Sequence, residues 1–355
     1  MDRHCPKTAP DQPSERCEPG PGGSRSLNLL DVQNLSVGLR NTGAAAPIIE
    51  GLTLSLDRGQ SLGIVGESGS GKSTAALSIM GLLRQNRQIE TSGDIRFQGR
   101  DLLEMSNSEL RSVQGSKIAM IFQDPASSLN PVMRVGDQIA ECIRTHSRLS
   151  GQEIDQQVMD ALRRVGMPDP PTTKRRYPHQ LSGGQRQRIL IAMAIALRPQ
   201  LIIADEPTTA LDLTIQAQIL RLLKELTAEM GMSLLLITHD FGVVSEMTES
   251  LIVLYAGRVV ESGDTRTVLE RPAHPYTRAL LKAHPSLDEK VGELVPIPGS
   301  PPNIRQRPSG CAFRLRCPQA TEICSAIQPD LALLDGGTHR AACHVLTSNS
   351  RRGLL

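Results

Sequence analysis

The sequence predicts an α/β fold, a mostly parallel sheet with helices on both faces, followed by a small module at the C-terminal end. Three observations carry that expectation. An apolar strand-like run, Ser61 to Val65, leads through a glycine-rich loop into a helix-like run, Ala75 to Met80. Strand-like runs at 201–205, 233–238 and 251–255 alternate with helix-like stretches near 212–230 and 240–247, the pattern of a parallel sheet covered on both sides. From about 286 the composition changes: Pro296, Pro298, Pro301, Pro302 and Pro308 precede a group of cysteines.

Taken in order, residues 1–26 are rich in Pro and Gly and poor in large apolar groups. They cannot bury enough surface to offset the entropy of ordering and read as a disordered tail. Leu29 to Leu39 and Ile48 to Leu56 alternate apolar and polar residues, which suits half-buried strands. Asp57-Arg58-Gly59 is a turn into the next strand. Asp94 to Phe97 with Gly99 reads as a short strand and turn, and Lys117 to Phe122 as a buried strand ending at Gln123. Between about 131 and 180, Val135, Ile139 and Ile143, then Val158, Leu162 and Val165, fall at helical spacings until Pro168, Pro170 and Pro171 break them. That predicts an inserted helical subdomain within a main domain of residues 27–285, with the second module at 286–355. An apolar run, Ile189 to Leu197, reads as a helix beginning after Leu181-Ser182-Gly183-Gly184-Gln185.

The glycine-rich loop is Gly66-Glu67-Ser68-Gly69-Ser70-Gly71-Lys72-Ser73-Thr74. G-x-x-x-x-G-K-[ST] between a strand and a helix is a phosphate-binding loop. Its glycines let successive N–H groups turn inward toward phosphate oxygens, and the helix starting near Lys72 adds its positive dipole end. Lys72 can reach the β- and γ-phosphates, and the Ser73 hydroxyl can hold Mg²⁺. Leu201 to Ala204 is an apolar run ending in Asp205-Glu206. An Asp at such a strand end is placed to complete the Mg²⁺ sphere, and the next residue, on the other side of the backbone, can polarise a water for attack on the γ-phosphate. Ser182, Gly183 and Gly184 read by themselves as a capped helix after a flexible turn or, beside the phosphate loop, as a second anion cradle at a helix start. One nucleotide does not need two cradles, so the second is expected to close over ATP held by another subunit.

Composition narrows the rest. Net charge is +2 over 355 residues, which gives no global field for nucleic acid or an anionic membrane. There is no Trp, with only three Tyr and four Phe, too few for a base-stacking surface. No run approaches the roughly 18 apolar residues of a membrane span, and the first residues lack a signal-peptide core. A soluble, cytosolic chain is the expectation, with any membrane role exercised through partners.

These motifs resemble, in order and spacing, those of an ABC-type ATPase: the phosphate loop, Gln123 after Ile121-Phe122, Leu181–Gln185, Asp205-Glu206, Ala210-Leu211-Asp212 and Thr238-His239-Asp240. The resemblance covers about residues 29–285. It implies a P-loop NTPase core with a mixed sheet, an antiparallel β subdomain and an inserted helical subdomain. It also implies ATP hydrolysis with Mg²⁺ held by Ser73, Gln123 and Asp205, and catalysis by Glu206, His239 and Gln123. Ser182, Gly183, Gly184 and Gln185 would act in trans, and Asp212 would lie in the loop facing the opposite subunit. One departure concerns the base: the first hairpin usually supplies an aromatic residue under adenine, whereas Ser36 to Arg40 has none and no aromatic precedes Phe97. Weaker base selectivity is expected.

Gln123 to Pro131, Tyr177-Pro178-His179-Gln180, His274-Pro275-Tyr276-Thr277-Arg278-Ala279-Leu280-Leu281 and the tail with Ile297-Pro298-Gly299 look like the oligopeptide/dipeptide importer branch, which includes nickel importers. Gln185 stands where many members of that branch carry Met. Partners implied are a second ATPase subunit, two transmembrane permeases and an extracytoplasmic solute-binding protein, with this chain peripheral on the cytoplasmic face of the membrane and no nucleic acid bound. DNA-repair relatives carry coiled coils or zinc insertions that are missing here, two-ATPase chains are longer, and a dead-site regulator would not retain Lys72, Glu206 and His239. The tail cysteines Cys311, Cys317, Cys324 and Cys343 have five, six and eighteen residues between them. Paired C-x₂₋₄-C spacing for zinc is absent. A [4Fe–4S] cluster, carried by some similar proteins, plain thiols and zinc all stay open. Cys5, Cys17 and Cys142 have no partner pattern.

Overall fold

Alternation in the first hundred residues becomes an antiparallel sheet. In the computed structural model, which describes residues 28–40, 47–209, 211–283, 296–303, 307–334 and 337–346, β1 (Leu30–Leu39) pairs with β2 (Pro47–Leu56), Leu30 facing Leu56 and Val37 facing Ile49. Leu52, Leu54 and Leu56 of β2 are buried between exposed Thr53 and Ser55, as period-2 side chains on one buried face must be. The expected tail of residues 1–26, the residue Ala210 and the expected boundary at 285/286 lie outside the described residues. β3 (Ser61–Val65) follows and belongs to a second sheet. β4 (Ile89–Phe97) and β5 (Arg100–Asp101) return to the first, giving the order β2-β1-β4-β5. β4 starts well before the Asp94 expected for it. Thr91-Ser92-Gly93 has no apolar signal, and Gly93 sits where the β1–β4 register shifts, with a notional Cβ only 2.6 Å from the Asn34 carbonyl oxygen.

The second sheet is mixed. β6 (Ile118–Ile121), β7 (Leu201–Asp205), β8 (Ser233–Thr238) and β9 (Ser250–Tyr255) run parallel with β3. β10 (Arg258–Asp264) turns back antiparallel on β9, and the tail supplies β11 (Ala332–Leu333) and β12 (Arg340–Ala341). Among the described residues the order is β11-β12-β10-β9-β3-β8-β7-β6.

Alternation along β7 and β8 divides the interior in two. Leu201, Ile203, Leu235 and Ile237 share a core with Ala75, Ala76 and Ile79 of the helix Lys72–Ile79 and with Leu52 and Ile95 of the antiparallel sheet. Ile202, Ala204, Leu234 and Leu236 face the opposite core, with Val135, Ile139 and Ile143 of the helix Val135–His146, Val158 and Leu162 of the helix Gly151–Arg164, and Ile189 and Ile191 of the helix Gly183–Ile195. The phosphate-loop helix and the Ser182–Gln185 helix therefore pack on opposite faces of one sheet. The helix of the second cradle starts at Gly183, earlier than the Ile189 that the apolar run suggested. Ser182 and Gln185 form a capping box that starts it, and its first turn carries no apolar residue to mark it.

Beyond Pro296 the chain wraps the β9–β10 end of the sheet. Ala312 and Phe313 join a third core with Val65, Val253, Tyr255 and Tyr276. Tyr255, Tyr276 and Phe313 lie with ring centroids 4.5, 5.3 and 5.4 Å apart, tilted or edge-on, each contact adding about 1 kcal/mol beyond area burial. His274 is fully buried beside them. Burial pushes its pKa down to about 3, so it is neutral, and its Nδ1 accepts the Tyr276 N–H at 3.0 Å. That gives His274 of the His-Pro-Tyr-Thr stretch a structural task at the start of the helix Pro275–Ala283. Three tail side chains then meet three carboxylates of the sheet region: Arg307 with Glu50, Arg316 with Glu67 and His339 with Glu261. Among the described residues no helix is long and apolar enough to cross a membrane.

Candidate active site

The phosphate loop has the shape its glycines predicted. Gly69 and Gly71 lie at φ 77° and 104°, left-handed values that side chains disfavour. At Gly66 a Cβ would sit 2.2 Å from the Leu254 carbonyl oxygen, so the loop can pass this close to β9 only without a side chain there. Lys72 is buried and hooks back over the loop, its Nζ donating to the Gly66 and Glu67 carbonyls at 2.7 and 3.0 Å. Burial lowers its pKa, opposed by Glu206, Asp205 and Glu67. The Ser70 hydroxyl is buried without a hydrogen-bond partner. An orphaned polar oxygen inside such a loop fits a ligand that brings acceptors, as a triphosphate does.

β7 delivers the two carboxylates to different places. Asp205 keeps the strand's alternation and points to the phosphate-loop face, where the Ser73 hydroxyl donates to its Oδ1 at 3.1 Å. Burial raises the Asp205 pKa against the lowering effect of Ser73 and Lys72. Together Ser73 and Asp205 present two hard oxygens, the donor type Mg²⁺ takes. Glu206 then leaves the strand at φ 45°, a left-handed value that costs a non-glycine residue energy and recurs at functional sites. The turn swings its carboxylate into a ring of donors. Gln123 Nε2 and Thr209 Oγ1 each donate to Oε2 at 2.9 Å, and His239 Nδ1 lies 3.4 Å from Oε1. His239 and then Thr209 hold the Glu206 pKa below the usual carboxylate range, and Glu206 raises that of His239. Glu206 is thus ionised and able to accept a proton. Gln123, Glu206 and His239, distant in sequence, meet at one point. Thr209 was not anticipated; its signal, a hydroxyl three residues after Glu206, is too common to read alone.

The second cradle is built differently from a simple loop. Ser182 Oγ accepts the Gln185 N–H at 3.3 Å, and Gln185 Oε1 accepts the Ser182 N–H at 3.1 Å. The first helical N–H groups are left without intrahelical partners, pointing out of the helix start as an anion site would need. Gly184 has no room for a side chain, since a Cβ would come within 2.6 Å of Ile215 Cγ2. Asp212 caps the helix Leu213–Met230 by accepting the Ile215 N–H at 3.0 Å. Beside it Leu213 is 82% exposed, an apolar side chain left in water at the start of that helix.

The tail cysteines are all described. Cys324 and Cys343 are buried, and Cys311 and Cys317 half-buried. Cys311 donates its N–H to the Cys324 carbonyl at 2.8 Å. Burial pushes the Cys311 thiol up, and Cys324, Cys317 and Cys343 add to that push. Among the described residues no three His, Cys, Asp or Glu side chains are disposed around a single metal ion. Cys5 and Cys17 lie outside the described residues.

Comparison with known proteins fits this geometry. The "ABC transporter" family model matches residues 49–209, and "Oligopeptide/dipeptide transporter, C-terminal region" matches residues 260–324. The chain is 46% identical over 329 residues to the dipeptide transport ATP-binding protein DppD of Escherichia coli strain K12, covering 93% of this chain and all of the relative. It is 44% identical over 327 residues to DppD of Bacillus subtilis strain 168, covering 92% of this chain and 97% of that one. Among solved structures, the dimeric structure of MJ0796, a bacterial ABC transporter cassette, matches with a TM-score of 0.59 and 28% identity, covering 67% of this chain and 99% of that one. The phosphate loop, the carboxylate pair and the tail with its matched C-terminal region thus have one common explanation: the chain belongs to the ABC transporter ATP-binding family, in its oligopeptide/dipeptide branch.

Proposed function

We propose that this chain binds and hydrolyses ATP as the energising subunit of an importer of di- and oligopeptides. The observation that carries the reading is the ionised Glu206 gathered with Gln123, Thr209 and His239 beside the phosphate loop. Loop N–H groups and Lys72 hold the β- and γ-phosphates, Lys72 exchanging the Gly66 and Glu67 carbonyls for phosphate oxygens. Ser73, Asp205 and Gln123 are the residues for Mg²⁺, which when bound neutralises charge developing on the phosphoryl oxygens. A water oxygen attacks the γ-phosphorus, its proton passes to the Glu206 carboxylate, and the bond from phosphorus to the β,γ-bridging oxygen breaks to leave ADP. His239 orients that water.

The second cradle is on the other face of the sheet from the loop, so one chain does not close both around one nucleotide. We assign Ser182 to Gln185, with Asp212 and exposed Leu213, to a second ATPase subunit's site, identical or paralogous. The relatives' names support peptide as the cargo; a nickel or other small-solute importer of the same branch is the alternative. Two permeases and an extracytoplasmic solute-binding protein complete the assembly, with this chain peripheral at the cytoplasmic face. The division into an ATPase domain of 27–285, a helical subdomain about 131–180 and a C-terminal module of 286–355 goes with this reading. The purified chain should hydrolyse ATP with a specific activity that rises with its own concentration. A strictly monomeric chain cleaving ATP at full rate at any dilution would remove the paired-subunit assignment.

For the tail we propose that Cys311, Cys317, Cys324 and Cys343 hold a [4Fe–4S] cluster. The fold brings Cys311 against Cys324 through a 2.8 Å backbone hydrogen bond, and Cys₄ is the donor set such clusters take. Anaerobically purified chain should carry iron and acid-labile sulfide in near-equal amounts, lost in Cys324→Ser; stoichiometric zinc, or no metal at all, would sink the assignment.

A further inference from the structure

The C-terminal tail reaches the phosphate loop directly. Glu67 is the second residue of that loop, and three groups fix it from three sides. Its N–H donates to the Tyr276 hydroxyl at 2.9 Å, and its carbonyl accepts from Lys72 at 3.0 Å. Its carboxylate is gripped by both ends of the Arg316 guanidinium, at 2.6 and 2.9 Å. The Arg316 side chain is 5% exposed. Its Nε donates to the Pro298 carbonyl at 2.9 Å, and its charge lies 6.0 Å from the Tyr255 and Phe313 ring centres. A two-pronged guanidinium locked this way holds both the position and the plane of its carboxylate.

From this geometry we infer that Arg316 is a positioning residue for the ATP site, acting through Glu67 and not on the nucleotide itself. Two physical reasons separate this role from simple packing. The loop must accept a highly charged triphosphate while carrying a carboxylate of its own, and a like charge on the same loop opposes binding unless it is cancelled. Arg316 cancels it. Second, when Lys72 leaves the Glu67 carbonyl for the phosphates, Glu67 loses one of its three anchors. The Arg316 fork and the Tyr276 hydroxyl then keep the loop N–H groups aimed. The tail thereby sets nucleotide affinity from outside the nucleotide site.

A second tie supplies the control. Arg307 also joins the tail to the main sheet region, donating to Glu50 Oε2 at 2.6 Å and the Pro47 carbonyl at 2.8 Å, but it ends on β2 and not on the loop. The inference rests on the chain's being an ATPase; failure of the unaltered chain to bind ATP would strike that reading and not this one. The experiment measures ATP binding by titration on the full chain, and KM and kcat on the chain with its transporter partners. Arg316→Ala should raise the Kd and KM for ATP about tenfold, the equivalent of about 1.4 kcal/mol, with kcat little changed. Arg316→Lys, which keeps the charge and loses the fork, should fall between. Adding Glu67→Gln to Arg316→Ala should recover most of the lost affinity, because the uncancelled charge goes with it. Arg307→Ala should lower thermal stability without moving KM. The proposal is overturned by an unchanged Kd in folded Arg316→Ala or Arg316→Lys, by an equal rise in Arg307→Ala, or by no recovery in the double variant. If Arg316→Ala does not fold, Arg316→Lys with and without Glu67→Gln decides the matter by the same measure.

Discussion

Replacing Glu206 by Gln should leave ATP bound and slow its hydrolysis by a factor on the order of 10³, within the range removed with a general base. The geometry makes the substitution clean. Gln keeps the shape and can still accept from Gln123 or Thr209, so the β7 turn at Glu206 keeps its ring of neighbours. What disappears is the negative charge that His239 and Thr209 hold in place, and with it the acceptor proposed for the water's proton. Single-turnover hydrolysis beside a nucleotide titration separates the two effects. Persistent turnover at more than about a tenth of the original rate would transfer the base's role to another group.

Lys72→Ala should have the opposite signature, an ATP affinity lowered by roughly 10² in a chain that still folds. A charged hydrogen bond to phosphate contributes about 1.5–3 kcal/mol, and each 1.4 kcal/mol is a factor of ten. Without ATP, Lys72 spends its donors on the Gly66 and Glu67 carbonyls. The Gly66 hydrogen bond is buried and the Glu67 one half-buried, so removing the amine should also lower stability, by about 1–3 kcal/mol. Equilibrium binding of ATP with thermal unfolding checks both parts. An affinity within twofold of the original would mean that the loop N–H groups alone hold the phosphates.

Much of this was legible before any coordinates. β7 and β8 run over the residues expected, 201–205 and 233–238, because apolar runs too short for a helix and bounded by polar residues suit a strand buried on both faces. The positions of Lys72, Ser73 and Asp205 around one loop follow from local pattern, because loop, helix and strand end are adjacent in sequence or fixed by the strand. β10 escaped notice, since Arg258 to Asp264 pairs antiparallel near the sheet's end with polar and apolar residues out of step. The left-handed turn at Glu206 has no signature either, Glu being no commoner there than elsewhere. Arg316 could not be found by spacing at all. It lies 249 residues from Glu67, and nothing periodic links a proline-rich tail to a phosphate loop.

The last strands of the fold have a consequence for how the protein is made. Strand β10 finds its outer neighbour only in β12, about residue 340, and the Ala342 N–H closes on the Val260 carbonyl at 2.8 Å. During translation some eighty residues must emerge after β10 before that rim is covered. Until then a nascent chain that already holds its phosphate loop and β7 carboxylates presents bare backbone N–H and C=O groups, the kind of border on which strands from other chains nucleate. Ribosomes stalled inside the tail would therefore release a species prone to clump, even though the phosphate loop and the β7 carboxylates had already been synthesised.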